Sequence, residues 1–247
     1  MKSKTMDTKT LIFDIETVGE SFDKMDERTQ EIQTKYIRET SEDDEEYEEK
    51  LQLLKDGMGF SPLTGFVVAI AMLDLEQDVL GMYYLDENNS GLVTEEEING
   101  RKARLRAMDE RTMLEAFWLK IQNCNRIVSF NGRRFDGPFL KVRSMVHDLS
   151  IPVEIVGYRY DKVPFHLDIL DHLTDFGTAG FKGNLHMWSR AMGIESPKAD
   201  GISGDMVSDM YHAGKILDIA RYSAGDIVAT GELYKRWLKS FKGIDQF

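Results

Sequence analysis

The sequence has one cysteine in 247 residues, Cys124, so it can hold neither an internal disulfide nor a thiolate metal cluster. It lacks any apolar run of about 18 residues, which excludes a membrane-spanning helix. The N-terminal MKSKTMDTKT lacks the apolar core of a secretion signal, and the expected location is cytoplasmic, with no membrane partner. Gly177, Gly180 and Gly183 are not followed by G-K-[ST], which excludes a P-loop. His147, His166, His172, His186 and His212 show no H-E-x-x-H spacing, and no EF-hand ligand spacing is present. No internal repeat or low-complexity linker marks a boundary. What the chain does have is 42% hydrophobic residues, ample for a core, so disorder throughout is excluded. At this length one domain over 1–247 carrying an insertion is expected rather than two domains.

The net charge of −12 is unevenly placed. Residues 20–56 carry 14 acidic and 6 basic side chains, a local balance of −8. Phe22, Met25, Ile32 and Tyr36 recur there at helical spacing, as do Tyr47, Leu51, Leu54 and Met58. Ser41, three residues before Asp44, reads as a helix N-cap between the two stripes. The segment is therefore expected to be an acidic helical hairpin inserted over 20–58, open to a basic protein partner. Basic residues gather elsewhere: Arg126, Arg133, Arg134, Lys141 and Arg143; Arg101, Lys102, Arg104 and Arg106; Lys235, Arg236, Lys239 and Lys242.

TLIFDIE, GFVVAIAMLDL, DVLGMYYLD, RIVSF and FHLDIL read as strands, and 87–108 as a long polar loop. Amphipathic patterns predict helices over 111–123, from FDGPFLKVRSMV, around 184–192 and 203–213, and over 215–240. This order implies an α/β fold with a mixed sheet of about five strands flanked by helices.

Asp14 and Glu16 stand two apart on the first strand and so share a face. Leu11, Ile12 and Phe13 make that strand apolar on both sides, hence central and covered. Two carboxylates at its end either emerge with the strand into solvent or, if covered, repel one another and lose hydration, a conflict that a divalent cation relieves. Asp136, in NGRRFDGPF, precedes a first-turn proline and reads either as a helix N-cap or as a carboxylate at the mouth of the sheet. Tyr222 and Asp226 lie at i and i+4 of a late helix, on one face. His166 and Asp168 share a strand face and read as core or surface residues rather than metal ligands.

Taken in order, D-x-E at a strand end, N-x-x-x-F-D at a strand-to-helix junction and Y-x-x-x-D on a late helix resemble the DEDD exonuclease superfamily, of ribonuclease H-like fold, in its Tyr subgroup. Within it the chain is similar to predicted 3′–5′ exonucleases related to the proofreading domain of family B DNA polymerases. SPLTGFVVAIAM, HLDIL and LHMWSRAMGIESPKADGISGDMV add to the likeness, over roughly residues 10–240.

The resemblance implies that Asp14, Glu16, Asp136 and Asp226 bind two Mg²⁺ or Mn²⁺ ions. Asp14 would bridge them, Glu16 and Asp226 would complete one site, and Asp136 would reach the other. Tyr222 would position the attacking water. Around them Thr17, Asn131, Arg133, Arg134 and Phe135 are candidate substrate contacts, with Lys198 a further candidate at the groove. An all-oxygen ligand set fits hard cations. Without the hairpin and the four ligands the chain has 25 acidic and 25 basic residues, so its acidity does not exclude a polynucleotide end. Modest, salt-sensitive binding is expected. Three readings stay open: an exonuclease on single-stranded DNA, an exoribonuclease of the same chemistry, and a non-catalytic nucleic-acid or protein-binding module.

Overall fold

The central strand is set by its own composition. The computed structural model describes residues 9–157, 165–195 and 206–241, and β1 (Thr10–Gly19) lies well inside its one seven-stranded sheet. Its neighbours are β2 (Gly65–Asp74), antiparallel, and β6 (Arg126–Ser129), parallel. The full order is β4-β5-β3-β2-β1-β6-β7, with β3 at Val79–Leu85, β4 at Val93–Ile98, β5 at Arg101–Met108 and β7 at His166–Asp168. Leu11, Ile12 and Phe13 are 0–1% exposed, as a strand covered on both faces requires. The mixed sheet and its flanking helices are the expected fold class.

Two of the seven strands occupy the stretch read as a polar loop. In 93–108 an acidic run in β4 and an alternation of small or apolar with charged residues in β5 are split by Asn99-Gly100, both at positive φ (52° and 71°), the conformation of a tight hairpin turn. Charge hides the strands: Glu95 and Glu97 are exposed on the edge strand β4, and on β5 beside it Lys102, Arg104 and Arg106 face water while Ala103, Leu105 and Ala107 face the core. FHLDIL likewise divides into the three-residue β7 and helix α5 (Ile169–Leu173).

The hairpin between β1 and β2 forms as α1 (Glu27–Thr40) and α2 (Asp44–Gly57). Its cap differs from the expectation. Asp43 accepts from the Glu46 amide at 2.9 Å, while Ser41 ends α1 and donates its hydroxyl to Ile37 O. The first apolar stripe also divides, for Ile32 and Tyr36 are exposed and Thr34 and Ile37 turn inward. Among the described residues no helix is long and apolar enough to cross a membrane.

Helices cover both faces of the sheet. Helix α3 (Glu110–Ile121) sets Phe117 against Phe13, ring centroids 5.4 Å apart, on one face. On the other, α8 (Ile216–Ser240) crosses β1, β2 and β3. Gly231 permits that approach: a Cβ there would stand 3.2 Å from Leu73 Cδ2 and 3.6 Å from Ile12 Cγ1. Between the layers, the guanidinium of Arg143, on helix α4 (Asp136–Val146), donates to both Glu110 oxygens at 2.9 and 2.7 Å. Burial pushes the Glu110 carboxyl up, but hydrogen bonds from Arg143, His147 and the Val67 amide outweigh it and hold the pKa below the usual range. Removing one partner strands a buried charge. Arg143→Met is expected to cost about 3–5 kcal/mol in denaturant unfolding, and the Arg143→Met, Glu110→Leu double variant to recover much of that loss.

Candidate active site

Asp14 and Glu16 lie within β1 on the face that α8 covers, and the strand does not end at the pair as expected but continues past Glu16 to Gly19, still paired with β2. Their cross-strand partners on β2 are Ala71 and Ala69, small residues that leave room above the carboxylates. The register slips between Glu16 and Thr17, a local bulge that leaves Val68 of β2 as the extra residue, after which the two strands stay paired to Gly19 and Gly65. Asp226 descends from α8 onto the pair. One carboxylate oxygen from each of Asp14, Glu16 and Asp226 lies within 4.8 Å of the others, a spacing that can hold a metal ion. All three residues are half-buried. Tyr222, one turn earlier on α8, is half-buried and packs against the core.

Asp136 joins them through the backbone. Strand β6 pairs with β1 only as far as Ile12–Val128, so the next β1 amides on that side lose their strand partner. Asp136, 4% exposed, supplies the replacement: its Oδ1 accepts from the Ile15 amide at 3.1 Å. It is therefore not the N-cap of α4. Phe135 holds that position, and the Asp136 carboxyl closes the split in the sheet instead.

The connection from β6 to α4 is built to place it. Asn131 adopts φ 65°, and a Cβ on Gly132 would collide with the Ser129 side chain and stand 3.2 Å from Asp136 Oδ2. Asp168, 3% exposed, accepts from the Asn131 and Arg133 amides at 2.8 and 3.0 Å. Burial raises its pKa to about 6 against the pull of those hydrogen bonds. Sequence reasoning misses this bracing role; the one available signal is an aspartate opening α5, whose Leu170 amide it also caps. His166 is a core residue, bonded to Ser129 Oγ at 2.7 Å and to Ile155 O, and burial lowers its pKa to about 4, which keeps it neutral.

The remaining candidates divide by surroundings. Thr17 donates its hydroxyl to Gly59 O at 2.7 Å. Arg133 is engaged inside the fold, with Asp171 Oδ2 at 3.4 Å and Gly157 O at 3.1 Å. Arg134 is exposed and, among the described residues, forms no ion pair; with Asn131 and Lys182 it lines a cavity of about 540 Å³. Phe135 is half-buried between Phe139 and Phe60. Lys198, Lys242 and the start of the helix expected over 203–213 lie outside the described residues, and α7 spans Val207–His212.

Electrostatics mark the four acids as a unit. Burial is the largest influence on Asp14, followed by the charges of Asp136, Glu16 and Asp226, and its pKa stands well above the usual range. Glu16 is raised by burial, then by Asp226 and Asp136. Asp136 rises to about 7, chiefly from burial, although the Ile15 amide pulls it down. Carboxylates so crowded are held either by protons or by a cation, and oxygen donors alone favour a hard divalent one.

A mixed sheet with helices on both faces, split beside its central strand around converging carboxylates, defines an exonuclease-like α/β domain. The chain belongs to the family described as predicted 3′–5′ exonuclease related to the exonuclease domain of PolB, whose model matches residues 67–246. That stretch holds Asp136, Tyr222 and Asp226; Asp14 and Glu16 precede it and join the others only in the fold. The chain is also similar to the catalytic chain of DNA polymerase epsilon from Dictyostelium discoideum, 30% identical over 139 residues, 54% of this chain and 6% of that protein. Its fold is similar to the family B DNA polymerase from the hyperthermophilic archaeon Pyrobaculum calidifontis, with TM-score 0.57 and 15% identity, covering 94% of this chain and 25% of that one. The chain thus spans a small part of each.

Proposed function

We propose that this chain is a metal-dependent 3′–5′ exonuclease that hydrolyses the terminal phosphodiester of a nucleic acid strand, single-stranded DNA first, and that 1–247 works as one domain. The observation that carries the reading is the meeting of Asp14, Glu16 and Asp226 within 4.8 Å, with Asp136 turned into the same split. Both matched proteins are DNA polymerases by name, which favours DNA over RNA.

Asp14, Glu16, Asp136 and Asp226 would hold two Mg²⁺ or Mn²⁺ ions. When bound, such ions neutralise the carboxylates and stabilise charge on the attacking and leaving oxygens of an in-line displacement. A water oxygen forms the new bond to phosphorus and the bond to the 3′ oxygen breaks, releasing a nucleoside 5′-monophosphate and a new 3′-hydroxyl. Tyr222 orients that water by hydrogen bonding, since a phenol that keeps its proton is a poor proton acceptor. Arg134 offers its guanidinium to a phosphate oxygen, and Arg133 stiffens the loop beneath it. Thr17, through its amide, and Asn131 face the terminal nucleotide, and Phe135 supports it from below.

End-labelled oligonucleotides incubated with Mg²⁺ or Mn²⁺ test the reading. Stepwise shortening from the 3′ end is expected, abolished by EDTA and by Asp14→Ala. No digestion with either metal, or digestion indifferent to Asp14→Ala, refutes it. Matched DNA and RNA strands decide the substrate. Tyr222→Phe is expected to lower kcat about 10- to 100-fold and leave Mn²⁺ binding by calorimetry nearly unchanged; loss of that binding would assign Tyr222 another role.

A further inference from the structure

We propose that the β4–β5 hairpin at the sheet edge sets the rotation of α8, and that Glu96 and Arg221 are positioning residues for Tyr222 and Asp226. The inference rests on the exonuclease reading above and goes beyond it in naming residues outside the carboxylate cluster on which turnover depends. Arg221 directly precedes Tyr222 on α8. Its guanidinium meets the Glu96 carboxylate of β4 in a two-pronged pair, Nε to Oε1 at 2.9 Å and Nη2 to Oε2 at 3.0 Å, and its Nη1 donates to Asp218 at 3.0 Å. Beyond Asp226, Glu232 stands 3.5 Å from Nη2 of Arg101, the first residue of β5. Tyr222 and Asp226 are thus bracketed by two ion pairs to one hairpin.

Both ties act from one side of the helix. Arg221 and Glu232 are separated by about three helical turns, so they leave α8 within about 20° of one another. Tyr222 and Asp226 leave it about 100° and 140° round from Arg221, at about 100° per residue. A twist of α8 by about 10° carries a side-chain tip about 5–6 Å from the axis through about 1 Å. An error of that size at a reacting centre costs up to about a hundredfold in rate. The underside of the helix resists such a twist weakly here. Between Ile219 and Ile227 its buried residues are Ala220, Ser223 and Ala224, and small side chains interlock little with the sheet. The hairpin is the firmer body, since Ala103, Leu105 and Ala107 are buried and β5 pairs with β3 from Ala103 to Met108. Arg101 is also held by Asp78, at 2.7 Å. Hydrogen bonds from Arg221 keep the Glu96 carboxyl below the usual range, so this pair stays charged wherever the cluster binds a cation. A two-pronged guanidinium–carboxylate pair fixes direction as well as distance, while a partly exposed one, here 40% and 26%, adds little to stability. Placing the helix is the role that remains.

Steady-state digestion, Mn²⁺ calorimetry and thermal unfolding of the same variants test the proposal. Glu96→Gln is expected to lower kcat about tenfold with KM little changed. It is also expected to weaken Mn²⁺ binding several-fold, because Asp226 is displaced, and to move Tm by no more than about 4 °C. Arg221→Gln is expected to behave alike, and the double variant to be no worse than either single one, as two residues acting through one contact require. The positioning role is overturned by an unchanged kcat or Mn²⁺ affinity, by losses that multiply in the double variant, or by a lost kcat that comes with a Tm lowered by more than about 10 °C. In each of those cases native digestion upholds the nuclease reading; absence of native digestion overturns both.

Discussion

Asp14→Asn is expected to give a protein that is nearly inactive yet more heat-stable than the native one without metal. The physical reason is the crowding of its carboxyl. Burial, then the charges of Asp136, Glu16 and Asp226, raise its pKa in the folded state. A carboxyl whose folded pKa exceeds its unfolded value penalises the fold above the unfolded pKa. Stability is then lost as pH rises from about 4 through the raised value. Two like charges within 4.8 Å repel by about 3 kcal/mol at an effective dielectric of about 20. Partial protonation relieves some of this, so the amide is expected to gain about 1–3 kcal/mol at pH 8, roughly 2–10 °C in Tm. The gain is expected to shrink to roughly a few tenths of a kcal/mol near pH 4, where the folded carboxyl is neutral and the unfolded one about half ionised, and to shrink also when Mn²⁺ is added to the native protein. Activity is expected to fall about a thousandfold or more. Thermal unfolding in EDTA at the two pH values, beside a digestion assay, measures both; a lower Tm at pH 8 contradicts the electrostatic account.

The same crowding predicts a steep pH dependence of metal affinity. Asp136 has its pKa raised to about 7, chiefly by burial, and Asp14 and Glu16 are raised as well. Cations bind the ionised forms, so protons compete with them and binding expels protons. Apparent Mn²⁺ affinity is expected to fall more than about tenfold from pH 8 to pH 6, since each displaced proton contributes up to about tenfold per pH unit. Calorimetry in buffers of differing ionisation enthalpy is expected to show proton release. Equal affinity at both pH values would mean that the four acids are already ionised without the metal.

The parts of the site legible in the sequence are those whose signal is local. A D-x-E on a strand apolar on both faces announces Asp14 and Glu16, although β1 runs on to Gly19, and a four-residue spacing on a long helix announces Tyr222 with Asp226. The less legible parts depend on partners distant in the chain. Asp136 looks like a helix cap until β6 is seen to stop at Ser129 and leave the Ile15 amide to be satisfied. Asp168 looks like an ordinary strand-end acid until two amides of the Asn131–Arg133 turn point at it. The β4–β5 hairpin is masked by the charges an edge strand carries, although Asn99-Gly100 names its turn. Ser41 yields the cap to Asp43 because two residues of offset decide which oxygen reaches the amide three positions on.

Crystals soaked in Mn²⁺ and measured for anomalous scattering give the most direct test. The account predicts strong peaks bounded by Asp14, Glu16, Asp136 and Asp226, lost in Asp14→Ala. Full-occupancy peaks elsewhere with nothing among these four acids would contradict it.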